Sequence, residues 1–424
     1  MERRTFLVAG SQTMVCALAS RATKSGLRAE QKQSQGLSNT LEQRVTAVIQ
    51  AYDAQGNHRT GSEVDGESGE WLTQEVRRLG VKSSLEPFSL SRVDPQLCYL
   101  RVSNRRIDGV PLFDAGFTDD QGVHGKLGLL GSDAAIALLE IGPLQLADPR
   151  AEYQTSISRA RHSQHSGVVL LTRGRRPGLF LSNALEFKNP SGPPILQVSN
   201  AESDWLRQRA EAQAEGTLVV QASRKPTRAF NVTAKVSGSN PNLAPLIFMA
   251  PRSAWWQCVS EQGGRMACWL EIMRALVAGK PARDCLFVAL SGHELGGLGM
   301  DAYTERHPDL VRRALAWIFL GSSIGAPRQP NLIHASDEAL EQWIVAAFKK
   351  EGITVDQTAP HNSPARGEAS VIQQGRGRFV TVACDSDVYH SVADRWPDAV
   401  DVAALARYAK AFADGALQLA RQVA

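Results

Sequence analysis

Residues Cys285 to Ser291 form an apolar run that delivers a His293-Glu294 pair into a glycine-rich turn, Gly292-His-Glu-Leu-Gly-Gly-Leu-Gly299. An imidazole with a pKa near neutrality moves protons, and a carboxylate ligates metals or accepts hydrogen bonds. Ligands of open α/β sheets bind beyond the carboxyl ends of strands, so chemistry is expected at this turn. The pair begins the zinc-binding pattern His-Glu-x-x-His, which needs a second imidazole one helical turn on. Position 297 is glycine, so that ligand pair is absent. A second motif, Gly321-Ser-Ser323-Ile-Gly325, fits the Gly-x-Ser-x-Gly nucleophile elbow, with Asp385, Asp387 and His390 downstream in the order of a serine hydrolase. Such an elbow must open a helix, and Ala326-Pro-Arg-Gln-Pro330 does not continue as one. A serine hydrolase using Ser323 is therefore the minor alternative.

The elements that position these residues alternate between helix and strand. Leu41 to Ala54 and Gly69 to Leu79 carry helical periodicity, and Val81 to Leu90 reads as a strand. From about Pro95 to Lys225 short strands separated by turns predict a β-rich insert, with strands in 125–131, 166–172, 194–198 and 217–221. Alternation then resumes: strand Pro245 to Ala250, helix Gly263 to Leu276, strand Cys285 to Ser291, strand Leu315 to Leu320, helix Glu338 to Lys350, strand Phe379 to Ala383 and helix Val402 to Val423. The pattern predicts an α/β fold with a mixed, mostly parallel sheet sandwiched by helices and interrupted by the β-rich module.

At 424 residues, with 43% hydrophobic and 21% charged residues, the chain has ample core for two domains. A formal charge of +4 without a dense Lys/Arg run points to neither a nucleic-acid nor a polybasic membrane role. Arg3-Arg4, the apolar run Val8 to Ala19 and the small-residue site Ala17-Leu-Ala19 predict a twin-arginine signal peptide over 1–19, a mature chain from near Ser20, and a periplasmic or secreted location. No later stretch is long enough to span a bilayer, so no stable membrane anchor is expected. Five cysteines follow the signal without zinc spacing, and their odd number leaves at least one thiol free.

Several motifs in order resemble the zinc exopeptidase family of bacterial aminopeptidases and glutaminyl cyclases. They are Asn57-His-Arg-Thr-Gly-Ser-Glu63, Arg228-Ala-Phe-Asn-Val-Thr-Ala-Lys235, Ser291-Gly-His-Glu-Leu-Gly-Gly-Leu-Gly-Met-Asp-Ala-Tyr303 and Tyr389-His-Ser-Val-Ala-Asp394. The insert, with Val123-His-Gly-Lys-Leu-Gly-Leu-Leu130, resembles a protease-associated domain. The resemblance implies a zinc-exopeptidase-like domain over 20–94 and 226–424, with the protease-associated-like insert over 95–225.

Carried across residue by residue, the resemblance places one zinc ion on Glu261, Glu294 and His390. Glu261 is identified by its position ten residues before Glu271. The private ligands of a second ion fall on Pro251 and Gly321, which cannot ligate, so one zinc at most is implied. His293 stands where the family has its catalytic glutamate and is the candidate base. Arg252, Trp255 and Trp256 beside the lost corner are candidate substrate contacts, as a cationic clamp and an aromatic wall. The implied function is an exported peptidase-like metallohydrolase acting on a peptide or small amide. The alternative is a non-catalytic binding protein on the same scaffold.

Overall fold

The structure, a computed structural model, describes residues 40–142, 150–327 and 330–423. The predicted signal peptide lies outside the described residues. Among the described residues there are fourteen strands: β1 (Ser83–Val102), β2 (Arg105–Asp108), β3 (Val110–Pro111), β4 (Val123–Leu129), β5 (Ile136–Ile141), β6 (Gly167–Thr172), β7 (Ile195–Val198), β8 (Glu215–Val236), β9 (Leu246–Pro251), β10 (Cys285–Leu290), β11 (Ala316–Leu320), β12 (Asn331–Ala335), β13 (Gln357–Thr358) and β14 (Phe379–Cys384). They form one mixed path, β13-β12-β14-β11-β9-β10-β8-β4-β5-β6-β7-β3, with β1 and β2 branching from β8.

The centre of the path is parallel, β10 against β9, β9 against β11 and β11 against β14. These strands are apolar at nearly every position because both faces are covered. Leu246, Phe248 and Ala250 of β9 face a core shared with helices Leu41–Asp53, Gly264–Gly279, Glu338–Lys350 and Val402–Arg421. Ile247 and Met249 face the opposite side with Met300, Tyr303 and Phe319.

β1 and β8 pair antiparallel along a ribbon that runs from Ser83↔Ala234 to Val102↔Gly216, with a register irregularity between Pro95 and Leu97. Proline cannot donate to the ladder, which suits a bulge at this point. The outer half of the ribbon carries β2 to β7 and a cluster including Leu100, Leu127, Ile136, Val169 and Leu196. Between β6 and β7 the chain from Leu179 to Phe187 turns back onto the C-terminal ends of the central strands, packing with Trp255, Leu295 and Leu298. Cys98, Cys258, Cys268, Cys285 and Cys384 are all buried and unpaired. Among the described residues no helix is long and apolar enough to cross a membrane.

Candidate functional site

β10 ends at Leu290, and the chain enters a 3₁₀ turn, His293–Leu295. Gly292, Gly296 and Gly297 all have positive φ, which explains the glycine richness. A Cβ at Gly296 would also lie 2.6 Å from the Leu185 carbonyl oxygen, so the insert presses directly on this turn. Asn231 of β8 ties the turn down, donating to the Gly299 carbonyl at 2.8 Å and accepting from the Ser291 amide at 3.2 Å.

The two members of the pair have different surroundings. Glu294 is buried and accepts three hydrogen bonds: from the Thr60 amide at 2.8 Å, the Thr60 hydroxyl at 2.6 Å and the Ser253 hydroxyl at 2.7 Å. Burial pushes its pKa up, partly offset by these donors. The same two hydroxyls accept from the Gly292 amide, at 2.9 and 2.8 Å, locking the turn to the carboxylate. His293 keeps 12% side-chain exposure, and its Nδ1 lies 2.7 Å from Oε1 of the buried Glu368. Burial pushes the Glu368 pKa up, but His293 and Arg265 outweigh it and hold the carboxyl below its ordinary range. The Glu368 carboxylate thus orients one nitrogen of the His293 imidazole.

Glu261 lies in a π-helical turn, Val259–Gly263, that precedes helix Gly264–Gly279. Both Asp394 oxygens cap this turn, accepting from the Ser260 amide at 2.7 Å and the Glu261 amide at 3.0 Å. Burial raises the Asp394 carboxyl to about 7, against the pull of those amides and with Glu261 adding to the rise. For Glu261 burial also acts upward, but His390, Arg265 and His293 hold it down at about 2. His390 Nε2 stands 3.4 Å from Glu261 Oε1. Its Nδ1 lies 2.7 Å from the Leu181 carbonyl, and a carbonyl only accepts, so Nδ1 carries the proton and Nε2 faces the site. Leu181 answers with its amide on the His390 carbonyl, and the Ala184 amide donates to the Glu294 carbonyl. The insert thus orients both flanks of the site. Glu261 Oε2 and His390 Nε2 have no hydrogen-bond partner.

Glu261 and His390 are therefore brought together, while Glu294 is turned toward Thr60 and Ser253. Zinc holds its nitrogen and oxygen ligands at about 2.0–2.2 Å, so any two such ligand atoms stand within roughly 4.4 Å of each other. Among the described residues the His, Cys, Asp and Glu ligand atoms that gather within 4.8 Å of one another belong to Cys258, Glu261 and Asp394, and Glu294 stands outside that group. Burial lifts the Cys258 thiol well above its ordinary range, and each Asp394 oxygen accepts one backbone amide. In this arrangement Glu294 is not gathered with Glu261 and His390, so the three donors named by the resemblance do not form one ligand set. Where the resemblance places a private ligand of the second ion, a Cβ on Gly321 would meet the Val382 carbonyl oxygen at 2.3 Å.

Arg252 is fully buried, bonding Asp65 Oδ1 at 2.8 Å, the Asp65 carbonyl at 2.7 Å and the Phe230 carbonyl at 2.6 Å. Its guanidinium is committed to the scaffold, so it is not the cationic clamp expected of it. Trp255 is buried edge-on to Phe113 at 4.9 Å and donates to Asn183 at 3.0 Å, so it seals the insert against the sheet. Trp256 is half-buried beside it. Ser323 has φ 59°, is buried, and its hydroxyl has no partner. The remaining members of its expected triad are engaged elsewhere, Asp385 and Asp387 by Arg175 and His390 by Leu181, so no serine-hydrolase triad is assembled.

Sequence reasoning missed Thr60, Arg265 and Glu368. Arg265 was detectable as a charge inside an otherwise apolar stretch of helix, Gly264 to Leu270, whereas Glu368 stands just before the short helix Ala369–Gln374 with no local signal.

This arrangement of parallel strands, capping turn and inserted ribbon is the zinc-exopeptidase fold. Three solved structures show it. A zinc aminopeptidase from Bacillus subtilis is 16% identical with a TM-score of 0.74, covering 92% of this chain and 97% of its own. An aminopeptidase from Aneurinibacillus sp. strain AM-1 is 16% identical with a TM-score of 0.67, over 90% and 94%. A peptidase M28 precursor from Shewanella amazonensis is 18% identical with a TM-score of 0.75, over 95% and 98%. No family model and no curated protein matches the sequence.

Proposed function

We propose that this chain is an exported, peptidase-like binding protein that keeps the exopeptidase cleft for a peptide or small amide and holds no firm zinc ion. The observation that carries the reading is the commitment of Glu294 to Thr60 and Ser253. A ligating carboxylate must aim a lone pair at the ion, and Oε1 of this one is filled by the two Thr60 donors while Oε2 is held toward Ser253. Gly321 against Val382 supports the loss of the second corner. Export is supported by Arg3-Arg4 and the apolar run after them, and the insert takes the part of a protease-associated domain.

A second reading is favoured by the unpartnered Glu261 Oε2 and His390 Nε2: a metallohydrolase with one zinc at most on Glu261, Glu294 and His390, and His293 as base. It requires Glu294 to leave Thr60 and Ser253. Metal analysis of the protein purified from the periplasm separates the two. The binding reading expects sub-stoichiometric zinc, unchanged in Glu294→Ala and His390→Ala. Stoichiometric zinc lost in both variants would overturn it in favour of the metallohydrolase.

A further inference from the structure

We propose that two adjoining hollows at the end of the sheet where β10 begins, opposite the Glu294 turn, form a docking groove for an extended acidic peptide segment. The proposal does not depend on whether the cleft holds zinc. One hollow, of about 730 Å³, sets Lys82, Lys235 and Lys280 around an apolar bed that includes Leu276 and Val277, and no carboxylate lines it. The other, of about 570 Å³, is lined by Lys82, Lys235, Arg306 and Arg313 together with Tyr303 and Leu286. Lys82 and Lys235 border both hollows and form the ridge between them. These cations come from separate elements of the chain, so the fold gathers a basic groove that no run of the sequence displays.

The register Ser83↔Ala234 sets Lys82 beside Lys235 on neighbouring strands, and like charges placed opposite one another are unfavourable. Asp284 relieves one of them, at 2.6 Å from Lys235. Lys82, Lys280 and Arg313 are exposed, and among the described residues none of the three pairs with a carboxylate. Two acids line the smaller hollow. Glu86 is already engaged by Arg306 at 3.0 Å, a His307 ring nitrogen at 3.4 Å and the Thr233 hydroxyl at 3.1 Å, and Asp309 is exposed. Tyr303 is 3% exposed, yet its hydroxyl has no hydrogen-bond partner among the described residues. Burial beside Glu86 pushes its pKa up, so it stays a donor. A buried donor and three uncompensated cations therefore line one groove without an acceptor between them.

The shape selects the ligand. A compact anion needs donors that converge on one point, whereas these are spread on both sides of a lysine ridge. A flat anionic surface cannot reach a hydroxyl inside a hollow, and among the described residues Val277, 41% exposed, is the one large exposed hydrophobic side chain here. An extended chain meets both conditions, with carboxylates over Lys82 and toward Tyr303 and an apolar side chain against Leu276 and Val277.

Fluorescence anisotropy of a labelled hexapeptide of alternating glutamate and leucine, at low ionic strength, tests the proposal on the full mature chain. Wild type should bind with a Kd below about 100 μM and lose at least about tenfold in affinity in roughly 0.5 M salt. Lys82→Glu and Lys280→Glu should each weaken binding about five- to tenfold, and Tyr303→Phe about threefold, while Asp309→Asn should tighten it about twofold. Unchanged thermal unfolding of each variant shows that the fold is kept. No binding by wild type overturns the proposal, as does an affinity that stays within about twofold of wild type when Lys82→Glu and Lys280→Glu are combined. Displacement of the peptide by equimolar inorganic phosphate, or by vesicles of anionic phospholipid, would give the groove to another ligand and likewise overturn it.

Discussion

Thr60→Val should destabilise the fold by about 2–3 kcal/mol, the range of a lost hydrogen bond to a buried charge, whereas Glu294→Gln should cost less than about 1 kcal/mol. Valine matches threonine in shape but removes the hydroxyl that donates to Glu294 Oε1 at 2.6 Å. The Gly292 amide loses the same oxygen as an acceptor but keeps the Ser253 hydroxyl at 2.8 Å, so no backbone donor is orphaned and no further penalty is added. Glutamine at 294 retains a carbonyl oxygen for both Thr60 donors. Its amide faces Ser253, whose hydroxyl can turn from donor to acceptor. In the Glu294→Gln background the Thr60→Val bond is neutral and worth about 1 kcal/mol, so a double-mutant cycle should show coupling of roughly 1–2 kcal/mol. Urea denaturation of the four proteins, with unchanged m-values, provides the readout. The reasoning fails if Thr60→Val lies within about 0.5 kcal/mol of wild type while Glu294→Gln costs more than about 3. That outcome would place the carboxylate elsewhere.

Arg252→Met should cost about 3–5 kcal/mol in the same assay by leaving Asp65 buried and uncompensated; a loss under about 1 kcal/mol would return Arg252 to the role of a free clamp. Trp255→Ala should cost about 3–5 kcal/mol and expose the Leu179–Phe187 segment to limited proteolysis, since the indole seals it through Phe113 and Asn183; unchanged proteolysis would contradict that seal. Asp394 gives a pH prediction. Its folded pKa of about 7 exceeds the unfolded value near 3.9, so its contribution to stability is full below about pH 4 and is lost as pH rises toward 7. Burial lowers His58 to about 3, and this acts in the opposite sense over part of the same range, because stability is lost as pH falls below the unfolded value near 6.5. The wild-type profile alone is therefore ambiguous. The difference between wild type and Asp394→Asn should decline as pH rises from 4 to 7, and a flat or rising difference would contradict the assignment.

The central strands were legible because strands buried on both faces read as continuous apolar runs: Cys285 to Ser291 was expected and β10 spans Cys285–Leu290. Helix Glu63–Arg78 was expected only from Gly69, since Gly66 and several acidic residues hide its first turns; the cap of Ser62 on the Asp65 amide was the missed signal. β1 was expected to end near Leu90, but it runs through Pro87 and Pro95 to Val102 as a long antiparallel ribbon with β8, whose pairing is non-local. In the site, Glu261 and His390 could be matched from the order of motifs. The direction of Glu294 could not, because adjacent residues of a 3₁₀ turn face different neighbours and Thr60, which claims this carboxylate, lies 234 positions away. Glu368 was hidden for the same reason, since it meets His293 across 75 positions.

The most direct test of the account is an anomalous-scattering map at the zinc edge from crystals of the mature wild-type chain grown with zinc. The account predicts no peak between Glu261 and His390, with the Glu294 carboxylate on Thr60 and Ser253. A full-occupancy peak ligated by Glu261, Glu294 and His390 would contradict it.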